Sequence, residues 1–215
     1  MGKQRASKRC YCNRGVRNRD LPVGVPLVAE MGPLTRDRDQ LTCALLEVAL
    51  CDTLRMDLDS EFFDPDDAFY TGPNATDALI ADAQARLGYE LPSSYIELLR
   101  IRNGGKPKNR CFRTAFPTTW APDHFEISAI RGLGGPWGID TPGGLSSASL
   151  VAEWGYPPVG LVICDMPSGG HDAVILNYED SRPEPSVIYV DEDRQPKPIA
   201  TTFADFIDKL VRAAG

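Results

Sequence analysis

The stretch CDMPSGGHDAVIL, residues 164–176, brings three chemically reactive residue types close together. Ser168, His171 and Asp172 lie within five positions of one another, just before an apolar run. A serine that a histidine activates and an aspartate orients is the arrangement of a nucleophilic hydrolase. The stretch is therefore either a hydrolytic site or a tight turn that carries reactive side chains.

The residues around Ser168 do not match the pattern of a serine nucleophile. A nucleophile elbow reads GxSxG and leads from a strand into a helix, whereas Ser168 stands in MPSGG and precedes the strand-like run DAVIL. A serine and a histidine three positions apart on one hairpin loop also do not easily reach a buried carboxylate. Pro167 presets φ, and Gly169 and Gly170 permit positive φ. This context favours a structural turn in a protein that is not an enzyme.

The two histidines are the remaining candidates for a metal site. His124 follows Asp123 and His171 precedes Asp172, so these residues form a coordination set only if their loops meet. Nothing in the sequence brings the loops together, and we expect no metal and no other cofactor. The alternative is a small hydrolase or metal enzyme that uses the loop residues Asp165, Ser168, His171 and Asp172.

Length and composition indicate a soluble globular domain with an extension. The chain has 215 residues, of which 42% are hydrophobic and 25% charged. It contains no apolar run of about 18 residues, so no membrane span is predicted. The basic N-terminus precedes only a short apolar stretch broken by proline and glycine, unlike a secretory signal. We expect a cytoplasmic protein, with Met1 and Met56 as alternative start codons.

The charge of the chain is unevenly distributed. The first twenty residues carry seven basic residues and one acid, and the remainder has 16 basic and 29 acidic residues, a net charge of −13. The acids are grouped, notably at 57–67 and at 191–193. An acidic body repels nucleic acid and attracts basic partners. We therefore expect a protein partner and no binding to nucleic acid or membrane, although acidity can also serve solubility alone.

The apolar pattern predicts an α+β protein. Residues 1–35 show no period and are predicted to be disordered, 36–61 form a helix and an acidic linker, and 62–215 form the compact domain. Helices are predicted near both ends of this domain and at GLSSASLVAEWGY. The runs VGLVICD, DAVILNYE and PSVIYVDED are predicted to be adjacent antiparallel strands. The expected fold is a single domain with a central, mostly antiparallel sheet flanked by helices.

Several helix ends carry recognisable capping residues. Asn74 or Thr76 is the predicted N-cap of the first helix of the domain, and Gly88 marks its end. Ser94 and Glu97 have the spacing of a capping box. The last helix, with the strongest amphipathic pattern, has its apolar face at Phe203, Phe206, Ile207, Leu210 and Val211.

Aromatic residues are interleaved with the acids that precede the domain. We expect Phe62, Phe63, Phe69 and Tyr70 to dock on the body while the neighbouring carboxylates face water. Trp154 lies on the apolar side of the short helix, and we expect it in the core. These residues mark where the acidic linker meets the domain and where the short helix meets the sheet.

From LGYELPSSYIELLRIRNGG onward the sequence resembles a known family. The resemblance continues through EWGYPPVGLVICDMPSGGHDAVILNYED, EPSVIYVDED and the closing FADFIDKLV. This ordered set is similar to the SUKH superfamily, which includes the fungal Smi/Knr-type cell-wall regulators, and it covers residues 62–215. No single piece is a catalytic signature, so the specificity comes from the order and spacing of all of them.

The resemblance implies an α+β fold and a binding role without chemistry. Bacterial members are mostly immunity proteins that neutralise a protein toxin, commonly a nuclease, and fungal members are scaffolds in cell-wall signalling. The leading hypothesis is thus an immunity protein that occludes a cognate polymorphic toxin, such as a basic nuclease. The alternative is a signalling or cell-wall scaffold.

The predicted partner-binding face combines the grouped acids with two loops, DMPSGGHD and YVDEDRQ. We expect these loops at one end of the sheet, where their charges can reach a partner. The predicted residues are Asp57, Asp59, Glu61, Asp165, His171, Asp172, Asp191, Glu192 and Asp193.

Overall fold

The structure is a computed structural model, and it describes residues 61–180 and 182–212. The predicted disordered segment 1–35 lies outside these residues, as do the predicted helix and nearly all of the acidic linker in 36–61. Asp57 and Asp59 of the predicted binding face lie outside them too. The part that is described has an α+β fold with antiparallel sheets, as predicted.

Helices of the described residues follow the predicted amphipathic segments. They are α1 (Asp77–Leu87), α2 (Ser93–Ile101), α3 (Ser147–Trp154) and α4 (Phe203–Asp208). The caps of α1 are confirmed, because the hydroxyl of Thr76 accepts from the amide of Leu79 at 3.2 Å and Gly88 ends the helix at φ 74°. The capping box of α2 is wrong, since Ser94 instead donates to Glu184 at 3.3 Å.

Nine strands of the described residues form three antiparallel sheets. The strands are β1 (Cys111–Arg113), β2 (His124–Glu126), β3 (Ala129–Ile130), β4 (Gly160–Val162), β5 (Cys164–Asp165), β6 (Ala173–Asn177), β7 (Ser186–Val190), β8 (Lys197–Ala200) and β9 (Leu210–Val211). The four-stranded sheet has the order β4-β6-β7-β8, the three-stranded sheet β2-β1-β9, and β3 pairs with β5. The predicted adjacency of the runs containing β4, β6 and β7 is confirmed.

Both faces of the four-stranded sheet are covered, which explains the continuous apolar runs of its central strands. Val174 and Tyr189 point to a core shared with α2 and α4, whereas Ile175 and Ile188 point to a second, smaller core. Side chains of α3 pack against that second core. Helices therefore flank the sheet on both sides, as predicted. No helix among the described residues is long and apolar enough to cross a bilayer.

The last helix is shorter than its periodicity predicted. It ends at Asp208, and the chain then pairs with β1, placing Leu210 opposite Phe112 and Val211 opposite Cys111. Leu210 is buried and Val211 is exposed, as alternation along a strand requires. The pairing satisfies backbone groups along an edge of β1 that would otherwise be unpaired. A tertiary contact thus overrides the helical pattern at these two positions.

Residues 197–200 form a strand that the sequence did not predict. Their sequence KPIA contains Pro198, and proline within a run argues against a central strand. β8 lies at the edge of the four-stranded sheet, beside β7, where a missing amide hydrogen is tolerated. Its register with β7 shifts between Val187 and Ile188. The segment HFEISAIRGL supplies two strands, β2 and β3, to two different sheets.

A buried arginine fixes the long connection between β3 and α3. The guanidinium of Arg131 donates to the carbonyls of Trp137 and Gly138, each at 3.3 Å, and to that of Leu145. Its Nη1 is buried without a hydrogen-bond partner in the described part of the chain. Burial lowers the pKa of Arg131 from its usual value. The side chain is an internal clasp that holds the loop against the domain.

Candidate partner-binding site

Two loops that are distant in sequence meet at an open cleft of about 330 Å³. The first, residues 117–123, precedes β2, and the second, residues 166–172, joins β5 to β6. Nothing in the sequence indicated that these loops meet. We name this cavity the Trp120 cleft. Its lining consists of Trp120, Ala121, His124, Phe125, Glu126, Pro167, Ser168 and Asp172.

A hydroxyl-centred turn presents the tryptophan of the first loop. The Oγ1 atom of Thr118 accepts from the amides of Trp120 and Ala121 at 3.3 and 3.0 Å, and it donates to the carbonyl of His124 at 3.0 Å. Such local side-chain bonds favour turns over regular structure. The turn leaves Trp120 52% exposed. A large aromatic side chain is therefore held outside the core at the mouth of the cleft.

Two glycines shape the second loop, as the sequence predicted. Gly169 and Gly170 have φ values of 68° and 112°, which L side chains rarely adopt. A Cβ on Gly170 would lie 2.2 Å from the ring of Trp154. Trp154 is partly buried and packs against the second core, at the edge of its expected place. It also lies beneath this loop, with its ring centroid 5.3 Å from that of His171.

Asp172 is held by hydroxyl groups and is not part of a catalytic triad. Ser168 donates to its Oδ1 atom, and the hydroxyl of Tyr189 donates to Oδ2 at 2.8 Å. Asp172 is only 3% exposed. Burial raises the pKa of its carboxyl, and the two hydrogen bonds oppose that shift. Within the described residues, no lysine or arginine nitrogen lies within 4.0 Å of this carboxylate.

The imidazole of His171 contacts a different carboxylate from the one that Ser168 bonds. Its Nδ1 atom lies 3.0 Å from Oε1 of Glu192, and the side chain is 48% exposed. The ring also lies edge-on to Trp120, with centroids 6.0 Å apart. A histidine that bridges serine and aspartate is required for nucleophilic activation. Ser168, His171 and Asp172 do not have that arrangement.

Asp165, the fourth residue of the hydrolase alternative, has a separate role. Its Oδ2 atom accepts from the hydroxyl of Tyr70 at 2.8 Å. Burial and this carboxylate raise the pKa of Tyr70 to about 12. The pair ties β5 to the segment before α1.

The second histidine also has a local carboxylate partner. The Nδ1 atom of His124 lies 2.8 Å from Oδ1 of Asp123. Asp123 also accepts from Arg113 at 2.9 Å, and both partners hold its pKa below the usual value. Over the ranges 61–180 and 182–212, no group of three or more His, Cys, Asp or Glu side chains could hold a metal ion.

The predicted loops DMPSGGHD and YVDEDRQ are adjacent, as expected. Arg194, at φ 58°, donates to the carbonyls of His171 and Asp191 at 2.7 and 2.9 Å. Lys197 bridges the carboxylates of Asp191 and Asp193, each at 2.7 Å. These bonds lower the pKa of Asp193 to about 2. The result is a turn closed by internal hydrogen bonds that carries exposed acids beside His171.

Three exposed carboxylates lie near the cleft, and we call them the acidic rim. They are Asp123, Glu192 and Asp193. Of the predicted face, His171, Glu192 and Asp193 are exposed beside the cleft, whereas Asp172 and Asp191 are buried with internal partners. Glu61 is exposed but lines a different hollow with Lys108 and Arg212. The loop acids therefore come together without Glu61 or Asp165.

Sequence reasoning missed the first loop as part of the site. Trp120, Asp123 and Glu126 lie in TTWAPDHFE, and a tryptophan between turn-forming threonine and proline residues was the available signal. The sequence also misplaced Phe69, which is 66% exposed beside Tyr70 and Trp137. Phe63 is buried as predicted. The two phenylalanines of this segment thus differ in burial, although the sequence predicted the same environment for both.

Most of the chain, including the loops described above, matches one known protein family. The SMI1 / KNR4 family (SUKH-1) matches residues 74–209 of the chain. No curated protein matches it. The matched segment runs from before α1 to the end of α4, so it contains both loops of the Trp120 cleft and all of the acidic rim. Because the match covers well over half of the 215 residues, this chain belongs to the SMI1 / KNR4 family (SUKH-1).

Proposed function

We propose that this protein is a non-catalytic binding domain that acts as an immunity protein and occludes a basic toxin. Membership of the SMI1 / KNR4 family is consistent with an immunity or cell-wall-related role. The observation that carries the proposal is the exposed Trp120 at a cleft that Glu126 also lines, next to His171 and its carboxylate partner Glu192. This combination suits recognition of a basic protein surface.

The Trp120 cleft supplies the kind of anchor on which protein interfaces depend. Tryptophan is enriched among the few residues that carry most binding energy. Trp120 stands beside His171, and Glu192 contacts that imidazole. A standard interface buries about 1,600 Å² in total, so it would extend beyond the cleft over the neighbouring loops. The turn geometry of both loops limits the ordering cost of binding.

The charge of the domain favours a basic partner. Residues 61–212 contain 22 acidic and 13 basic residues, a net charge of −9. A toxin that cleaves nucleic acid must be basic where it holds phosphates. Complementary charge steers association and covers the substrate-binding surface at once. An acidic domain that blocks such a surface needs no chemistry of its own.

The arrangement of the reactive side chains supports a non-catalytic role. The hydroxyl of Ser168 donates a hydrogen bond to Asp172, and the imidazole of His171 contacts Glu192. A general base must reach the proton that it abstracts, and His171 does not do so here. The Ser168 loop therefore supports the interface as a closed turn.

Binding kinetics test the proposal. The probe is the product of a toxin-like reading frame adjacent to the gene, and association is measured at two salt concentrations. We expect Trp120→Ala to weaken binding at least tenfold, mainly through faster dissociation. We expect Glu192→Lys to slow association and to flatten its salt dependence. Asp82→Lys, an exposed position on α1, is the matched charge control.

Two outcomes would reject the immunity role. The first is an association rate that is indifferent to salt and to Glu192→Lys. The second is the absence of binding to any neighbouring gene product, which would instead favour a signalling scaffold. A folded protein whose esterase or amidase turnover disappears in Ser168→Ala would reject the non-catalytic role.

A further inference from the structure

We infer that the Trp120 cleft is a receptor site for one arginine side chain of the protein partner. The inference rests on the proposed function and names the chemistry of its central contact. Its basis is a cavity of side-chain size that is lined by the aromatic ring of Trp120 and by two acidic residues, Asp172 and Glu126. Neither carboxylate has a hydrogen-bonded cation among the described residues.

The size and lining of the cleft suit a long side chain with a charged end. Its volume is about 330 Å³ and it opens to solvent. Trp120, Phe125 and Pro167 supply apolar surface along which a methylene stem can lie. The polar residues Glu126, Ser168 and Asp172 line the same cavity. A side chain with an apolar stem and several hydrogen-bond donors at its end matches this combination of apolar and polar lining.

Asp172 provides a buried charge without a countercharge. It is 3% exposed, and its two hydrogen bonds come from the neutral hydroxyls of Ser168 and Tyr189. A buried carboxylate is costly unless it is paired as well as hydrogen-bonded. A guanidinium in the cleft would supply the missing positive charge without displacing either hydroxyl, since a carboxylate has about four acceptor positions.

Glu126 provides a second carboxylate that can accept hydrogen bonds from an incoming cation. Its nearest cation is Arg110, whose Nη2 atom lies 3.9 Å from Oε2, too far for a hydrogen bond. Glu126 is partly exposed, so it can turn toward an incoming cation. Two carboxylates, from β2 and from the second loop, therefore border the same cavity.

The tryptophan distinguishes arginine from lysine. A guanidinium is planar, stacks on aromatic faces and is more weakly hydrated than an ammonium. A cation over the ring of Trp120 gains cation–π attraction. His124 also lines the cleft, and it contacts Asp123 at 2.8 Å.

A peptide titration tests the inference without the partner. The probes are the peptides acetyl-Gly-Arg-Gly-amide and acetyl-Gly-citrulline-Gly-amide, which differ by the guanidinium charge. The full chain is labelled with ¹⁵N and its spectra are followed at neutral pH. We expect saturable shifts at the indole N–H of Trp120 and at the amides of 168–172 with the arginine peptide, and at least fivefold weaker binding of the citrulline peptide.

Variants separate the contributions of the cleft. Trp120→Ala should abolish saturation, and Glu126→Gln should weaken binding at least threefold. Asp82→Asn, an exposed acid on α1, should leave the titration unchanged. Equal affinity for both peptides, tighter binding of a lysine peptide, or shifts centred outside the cleft would each overturn the inference.

The two proposals fail separately. Toxin binding without any arginine titration would reject the receptor site and leave the immunity role standing. Arginine titration together with no binding to a neighbouring gene product would reject the immunity role and retain the chemistry of the cleft.

Discussion

Ser168 donates its hydroxyl hydrogen bond to Asp172, four residues later, while the imidazole of the intervening His171 contacts Glu192. The amide of Asp172 donates back to the Ser168 hydroxyl oxygen at 3.3 Å. The serine therefore closes a turn by two bonds to one residue. Its position within five residues of a histidine and an aspartate has a structural cause.

Ser168→Ala should lower stability, because a buried carboxylate loses one of its two side-chain donors. Hydrogen bonds to charged groups contribute about 1.5–3 kcal/mol, so we expect a loss of about 2 kcal/mol in the free energy of unfolding. Urea denaturation measures it. Ser93→Ala, at an exposed serine, is the control and should change stability by less than about 0.5 kcal/mol. An equal effect of both substitutions would show that the bond to Asp172 is not stabilising.

Leu210→Ala and Val211→Ala should differ strongly, because β9 buries the first side chain and exposes the second. Deleting a buried leucine side chain beyond Cβ typically costs about 2–5 kcal/mol, whereas an exposed position costs about 0.5 kcal/mol or less. Thermal and urea unfolding of the two variants provide the comparison. A continued helix would bury both residues, so similar large losses would contradict the strand.

Arg131→Lys should loosen the loop that the guanidinium clasps. One ammonium cannot reproduce the fork that reaches the carbonyls of Trp137, Gly138 and Leu145. We expect a stability loss of about 1–3 kcal/mol and faster amide exchange in residues 137–146. Exchange in α1, which makes no hydrogen bond to this side chain, serves as the internal control. Unchanged exchange in the loop would show that the clasp is not what orders it.

The Asp193–Lys197 pair should make stability fall in acid. The pKa of Asp193 is lowered to about 2 in the folded state, against about 3.9 in an unfolded chain. The stabilisation is thus complete above about pH 4 and is lost as the pH falls toward 2. The difference in unfolding free energy between the wild type and Asp193→Asn should shrink over that window. It will be small, because Asp193 is half exposed.

Every variant in that experiment must retain Asp172, because the pKa of Asp172 is shifted in the opposite direction to that of Asp193. Its raised pKa means that protonation on acidification favours the folded state. Comparing variants that all retain Asp172 cancels this contribution. Asp82→Asn, at an exposed site on α1, controls for the loss of one negative charge. A pH-independent difference between the wild type and Asp193→Asn would contradict the assigned ion pair.

Local features of the fold were predictable from the sequence because they depend on neighbouring residues. The N-cap of α1 at Thr76, its end at Gly88 and the glycine turn at 169–170 all follow from side chains a few positions apart. The central strands were recognisable because a covered sheet produces continuous apolar runs. Family-level resemblance, confirmed over residues 74–209, depends on the order of these same segments.

Features that depend on distant partners were not predictable. β9 takes its conformation from the edge of β1 rather than from its own helical period. β8 contains a proline that is tolerated only because the strand lies at an edge. The Trp120 cleft arises where two loops about 50 residues apart in sequence converge. None of these pairings has a signal in local composition.

The pairing of β1 with both β2 and β9 has a consequence for synthesis on the ribosome. β2 follows β1 closely and can pair with it early, but Leu210 and Val211 emerge about 100 residues after Cys111 and Phe112. Until then one edge of β1 exposes unpaired backbone groups, which are a template for association with other chains. The nascent protein must keep that edge protected through most of its translation, so slow elongation after residue 113 should increase its need for chaperones.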